Sequence, residues 1–293
     1  MNFPMLYYRR DVLAELGFEV DGNITWDDIL WILPDVLKNN MSMWIPPDVN
    51  SYFMFLRQFG GDFYHQNSIL TSLDTSEAFQ AFRFFTNFYA LHDLPVHADF
   101  LSRFRTGETP IGIADYTLAN TLSIVAPEIR GLWGFMPVPG VLMEDGTINN
   151  IGYMFTAGCV IMEQSENHDA AWEFVKWWTS AQTQSMFGRE IEAVMGTAGR
   201  YTTANLEALA TLPWSATELD RIMEQLLVSY PRREMPGGYY TDRLINFAIL
   251  NVIISGYNPR ETLSEFAKRI DVEILTKAEE LGIDVNTVFR DVR

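Results

Sequence analysis

The sequence predicts an α/β fold. A short apolar run at residues 111–114 follows a Gly-containing turn and ends abruptly at Asp115, the pattern of a strand buried on both faces. Segments whose apolar residues recur at helical spacing stand on either side of it. The length of 293 residues, 48% of them apolar, allows one large domain or two lobes with ample core.

In chain order, Thr25 is a good N-cap, with Asp27 and Asp28 placed to complement a helix dipole. Ile29, Leu33 and Val36 continue that helix, which should end near Asn39 and Asn40. Asp74 with Glu77 has the spacing of a capping box, and Ala78, Phe82, Phe85 and Tyr89 follow on one helical face to about Leu91. After the 111–114 strand, residues 117–125 should form a helix that starts at a crevice. Prolines break residues 134–140, and Glu144-Asp-Gly146 marks a tight turn. The apolar run 153–162 predicts a buried strand, with Cys159, the single cysteine, as an inert buried thiol. Next comes a Trp-rich helix on which Ala171, Phe174, Val175 and Trp178 share a face that Trp172 and Trp177 widen. Such spacing marks core rather than a cofactor box. The remainder should be helical: residues 215–228, a helix after Gly238, and a last helix from Pro259 to about Leu281, capped by Asn258 and ended by Gly282.

Lysine and arginine total 21 against 38 acids, a formal charge of −17. That field repels a phosphate backbone and argues against a nucleic-acid partner. No apolar run reaches the roughly 18 residues of a membrane helix. Most of the 8 Trp, 12 Tyr and 20 Phe must be core, but a carbohydrate cleft draws on the same supply, because sugar C–H faces pack on aromatic rings.

Catalytic patterns are missing from the sequence. The four histidines (His65, His92, His97 and His168) have no metal-ligand spacing, and there is no Gly-x-Ser-x-Gly elbow or His-Glu-x-x-His. No catalytic residue, metal or cofactor is therefore expected, although a carboxylate pair distant in sequence keeps a carbohydrate hydrolase open as an alternative. For binding, ligands of open α/β sheets sit beyond the carboxyl ends of strands, which puts Asp115 and Tyr116 at the lip of a crevice. The other reading is that Tyr116 caps the core. Gly237 and Gly238 permit close approach to a ligand, and Tyr239, Tyr240 and Arg243 open the helix that follows. The other reading there is an Arg243 paired with Asp242 or Glu234 on a solvated surface.

Several motifs, in order, resemble the bacterial extracellular solute-binding proteins, the sugar-binding components of ABC importers. They are Met5-Leu-Tyr-Tyr-Arg-Arg-Asp-Val-Leu13 with Thr25-Trp-Asp-Asp28, Gln58-Phe-Gly-Gly61, Phe104-Arg-Thr-Gly-Glu108, the Ala170–Ser180 tryptophan helix with Gln184 and Phe187, Pro236-Gly-Gly-Tyr-Tyr240 and Asn258-Pro-Arg-Glu-Thr262.

The resemblance implies a type II periplasmic binding protein fold, maltodextrin-binding-protein-like, with two lobes, hinge crossovers and a helix-rich second lobe. Residues 1–149 would begin the second lobe, 150–200 would belong to the first, and 201–293 would complete the second. It implies an oligosaccharide or sugar-derivative ligand, delivery to ABC permease subunits, and an extracellular or periplasmic location, with membrane tethering only through a lipid anchor that this chain does not carry. Family members normally begin with a secretory signal and about one hundred residues of first lobe. The opening at Met1 resembles the first crossover, so most of the first lobe is expected to be missing and the tryptophan helix to expose apolar surface. The resemblance adds Ser51, Tyr52 and, from the opposite lobe, Tyr153 to the candidate site. Tyr116, Tyr239 and Tyr240 are expected to share one opening with Arg243 at its edge. A non-binding interaction fragment is the remaining alternative.

Overall fold

The computed structural model describes residues 1–20, 22 and 24–283. Its centre is a four-stranded sheet of β1 (Pro4–Arg9), β2 (Met43–Trp44), β3 (Ile111–Asp115) and β4 (Trp133–Met136), in the order β2-β3-β1-β4. β3 runs parallel to β2 and antiparallel to β1, and β4 runs antiparallel to β1. Every residue of β1 is buried, and the two-residue side-chain period divides the strand between two cores. Leu6 and Tyr8 enter the larger core, while Met5 and Tyr7 join Phe3 in the smaller one. The predicted strand at 111–114 is β3. Its Gly112 is required by close approach, because a Cβ there would lie 2.6 Å from the Phe100 ring and 2.9 Å from Trp44 Cβ.

Twelve helices surround the sheet in the described residues. The first six are α1 (Arg10–Glu15), α2 (Trp26–Lys38), α3 (Val49–Gln58), α4 (Ser76–Ala90), α5 (Phe100–Thr106) and α6 (Leu118–Val125). Then come α7 (His168–Thr179), α8 (Ala181–Met195), α9 (Leu206–Leu209), α10 (Ala216–Leu227), α11 (Gly238–Ile253) and α12 (Pro259–Glu280). Thr25 and Asp28 form the capping box of α2, and Ser215 and Glu218 that of α10. The box expected from Asp74 and Glu77 does not form. Thr75 is the N-cap of α4, its hydroxyl accepting from the Ala78 N–H, and Glu77 instead accepts from the Ser76 hydroxyl. The larger core joins α2, α3, α4, α11 and α12 to one face of the sheet; α5, α6 and α10 cover the other.

β4 leads into the hairpin β5 (Val141–Leu142) and β6 (Ile148–Asn149), turned at Gly146 with φ +83°. β7 (Gly152–Tyr153) then pairs in parallel with β8 (Ser229–Tyr230). The buried strand expected over 153–162 is therefore wrong beyond Tyr153. Residues 155–160 are exposed and Cys159 with them, because beyond the Asn2–Phe155 bridge no described strand lies alongside to take their backbone bonds or cover their side chains. The tryptophan helix, α7, is present but buries none of its residues: Trp172 and Trp177 are each 54% exposed. The expected exposed apolar face is there, and the reading of those tryptophans as core is corrected within the described residues. Phe174, Trp177, Trp178, Phe187 and Tyr201 form a chain of ring contacts that holds α7 to α8. Residues 284–293, the end of the expected 201–293 segment, lie outside the described residues.

Candidate functional site

β2 ends at Trp44 beside Gly112 of the parallel β3, which runs on to Asp115, and an opening of about 450 Å³ lies at their carboxyl ends. Trp44 and Asp115 come from those strand ends, and Thr117 from the start of α6. Asp48 and Asn50 come from the start of α3, and Tyr153 and Phe155 from β7 and the segment after it. A smaller opening of about 200 Å³ shares Asn50, Tyr153 and Phe155 and extends the site to Arg232 and Glu234.

Local sequence fixes each group. Asp48 follows Pro46-Pro47 and caps α3, its Oδ1 accepting from the N–H groups of Asn50 at 3.0 Å and Ser51 at 2.9 Å. Asp115 accepts at Oδ2 from the Asn2 side chain at 2.6 Å. Beneath it the Tyr7 hydroxyl donates to the main-chain oxygens of Asp115 and Tyr116 and accepts from the Ala119 N–H, which joins the end of β3 to α6. Arg232 donates to both carboxylate oxygens of Asp242, at 2.6 and 2.7 Å.

Removal from water raises the Asp48 carboxyl above the ordinary carboxylate value, opposed by its cap hydrogen bonds and more weakly by Arg232. Burial also raises Asp115; the Asn2 hydrogen bond works against that shift, and the negative charge of Asp48 adds to it. Tyr153 is raised well above the usual phenol value by burial first, then by Asp115 and Asp48. Two mutually repelling carboxylates with spare acceptor capacity, beside an asparagine and a threonine, can take hydrogen bonds from a hydroxyl-rich ligand. Phe155, 44% exposed and edge-on to Tyr153 at 5.5 Å, offers an apolar ring to the same space.

Of the residues anticipated from sequence, Asp115 and Tyr153 line this opening. Ser51 and Tyr52 are fully buried behind it, and the Tyr52 hydroxyl donates to the Ala78 carbonyl. Tyr116 is only 1% exposed, because strand alternation that turns Asp115 outward turns Tyr116 into the smaller core. Its placement at the lip is therefore corrected to the core-capping alternative. Tyr239, Tyr240 and Arg243 do not reach the opening either. Tyr240 and Arg243 line a separate groove between α11 and α12, with Phe247, Lys268 and Arg269. The Tyr239 and Tyr240 rings lie 4.2 Å apart, and Arg243 sits over Phe247 rather than on a carboxylate. A single opening shared by the three tyrosines is thus ruled out by their positions. Asp48, Asn50, Thr117, Phe155 and Arg232 escaped sequence reasoning. The Pro-Pro-Asp start of α3 was the available signal for Asp48 and Asn50, since an N-cap after two prolines marks a rigid turn into a helix.

Comparison with known proteins places this geometry in a family. A model of the bacterial extracellular solute-binding proteins matches residues 1–217. An arabinooligosaccharide-binding protein of Halalkalibacterium halodurans is 23% identical over 187 residues, which are 58% of this chain and 40% of that relative. The chain thus spans well under half of the curated relative it matches. Among solved structures, the sugar-binding protein MalE of Xanthomonas citri superposes with a TM-score of 0.76 at 18% identity, over 97% of this chain and 71% of that one. An ABC transporter solute-binding protein of Thermotoga lettingae bound with α-D-tagatose gives 0.74 at 17% identity, over 93% and 70%. At such identities the structural likeness is one of fold, the type II periplasmic binding protein fold expected from the sequence. The match over residues 1–217, nearly three quarters of the 293, makes this chain a member of the bacterial extracellular solute-binding protein family.

Proposed function

We propose that this chain binds an oligosaccharide or sugar derivative outside the cytoplasm, without turning it over, for delivery to an ABC permease. The observation that carries the reading is the opening beyond β2 and β3, where Asp48, Asp115, Asn50 and Thr117 supply hydrogen-bonding groups opposite the exposed ring of Phe155. Phe155 exposes its ring to solvent, and the Asn2-bonded Asp115 keeps one carboxylate oxygen for a hydroxyl. The relatives' sugar ligands give the ligand class.

In this reading residues 1–149 and 201–293 form one lobe and 150–200 belong to the other, with closure about the 137–151 and 196–203 crossovers. The uncovered face of α7 is then a surface for first-lobe strands that these residues do not provide. Calorimetric titration with linear arabino- and malto-oligosaccharides tests the proposal. Saturable binding is expected, weakened roughly tenfold by Phe155→Ala, which removes about 1–2 kcal/mol of ring contact. Ligand should be recovered intact after long incubation, whereas reducing ends accumulating in proportion to protein would favour a hydrolase. Unchanged affinity in a Phe155→Ala, Asp115→Ala double variant would move the site elsewhere.

A further inference from the structure

A second cavity, of about 620 Å³, lies at the other end of α6 from the sugar opening, between the edge strand β4 and the start of α10. Three arginines line it: Arg10, Arg130 and Arg221. In a chain of net charge −17 that concentration runs against the overall balance, and no ion pair among the described residues uses any of the three. Glu218 also lines the cavity, but its Oε2 accepts from both the N–H and the hydroxyl of Ser215, which closes the α10 cap instead of neutralising Arg221.

The guanidinium groups of Arg10 and Arg221 are positioned rather than loose. Arg221 Nη1 donates to the Phe135 carbonyl at 2.7 Å and to the Tyr8 hydroxyl at 3.2 Å, while Arg10 lies over the Tyr8 ring, 5.9 Å from its centroid. Gly134 makes room for Arg10 and Tyr8. A Cβ at that position would stand 2.8 Å from the Tyr8 hydroxyl and 2.9 Å from Arg10 Nη2. Two planar cations held about one tyrosine, with Arg130 at the rim and Trp133 along the wall, leave a set of unspent N–H donors facing a space with no carboxylate committed to them.

We propose that this cavity is a binding site for a small oxyanion-bearing ligand, a phosphate monoester or a polycarboxylate, whose charged group is held by Arg10 and Arg221 and whose body lies against Trp133. The site is independent of the sugar reading, since it shares no residue with that opening.

The test is titration of this chain at fixed ionic strength with inorganic phosphate, glucose 6-phosphate and citrate, followed by calorimetry and by tryptophan fluorescence. Saturable binding is expected, with phosphate and carboxylate arms separating the two sources of the oxyanion. Arg10→Gln and Arg130→Gln should each weaken it about tenfold or more, through the loss of charge-assisted hydrogen bonds. Arg221→Gln should abolish it, and because Arg221 also holds Phe135, its melting curve is recorded alongside. The exposed Arg130 has no described side-chain partner, so Arg130→Gln reports on binding even if Arg221→Gln fails to fold. Absence of saturable binding by all three probes overturns the proposal, as does binding that Arg10→Gln and Arg130→Gln leave unchanged.

Discussion

The Tyr116 ring lies face to face on Phe3, with 4.5 Å between centroids and 6° between planes. This stack joins the end of β3 to the residue before β1, and so makes Tyr116 part of the sheet's support, one position away from a residue that lines the opening. Its hydroxyl is buried with no hydrogen-bond partner. Truncation by Tyr116→Ala should cost about 3–5 kcal/mol of stability. Tyr116→Phe should be neutral or stabilising by roughly 1 kcal/mol, because it deletes an unsatisfied polar atom. Denaturant unfolding of the two variants checks both signs, and a destabilised Tyr116→Phe would show that the hydroxyl has a partner.

The fold was legible wherever local chemistry and burial agreed. Thr25 with Asp28, Asn258 before Pro259, and the 111–114 run all carry their structure in a few adjacent residues. Legibility failed where a side chain's direction depends on a distant partner. Tyr116 and Asp115 are neighbours in sequence, and only the pairing of β3 with β1 decides which of them faces the core. The 153–162 run has the composition of a strand, yet strand formation needs a neighbour, and beyond the Asn2–Phe155 bridge the described residues supply none. Tyr239, Tyr240 and Arg243 have suitable chemistry for a sugar, but the α11–α12 packing carries them to another face.

The raised carboxyl of Asp115 gives a pH dependence whose sign is fixed. Burial lifts its pKa in the folded state above the ordinary 3.8, so the folded chain holds this proton more tightly than the unfolded one. Its contribution to stability is complete below about 3.8 and is lost as pH rises through the folded-state value. Asp115→Asn keeps an oxygen for the Asn2 side chain and removes the charge. The variant should be more stable than the parent at neutral pH, and the difference should shrink toward pH 3.5. Melting temperatures measured across that range decide it; a gap that widens on acidification would contradict the assignment.

The exposed face of α7 predicts behaviour in solution. Trp172, half exposed and without a ring partner in the aromatic chain that ends at Tyr201, presents apolar area to water. Trp172→Lys should reduce self-association while changing stability by no more than about 0.5 kcal/mol. Sedimentation velocity over a concentration series, with melting curves alongside, separates the two effects. Unaltered association would place the sticky surface elsewhere.

Two buried glutamines hold the two ends of the β5–β6 hairpin. Gln58 accepts from the Trp26 indole N–H at 2.6 Å and donates to the carbonyls of Pro139 and Ile151. Gln225 accepts from the Val138 N–H at 2.7 Å and donates to the Asn150 carbonyl. Each side chain therefore bonds both the segment entering the hairpin and the segment leaving it, one from α3 and the other from α10. A leucine of similar volume at either position would fill the space but strand buried main-chain groups, so Gln58→Leu should cost about 2–4 kcal/mol, more than the loss of the bonds alone. Gln225→Leu leaves a buried N–H as well as a carbonyl and should be comparably costly. Because the two glutamines share the same segment, their effects should be less than additive: once one anchor is lost, the hairpin is already free to move. Denaturant unfolding of both single variants and the double variant measures this coupling. Strictly additive losses would mean that α3 and α10 hold the hairpin independently.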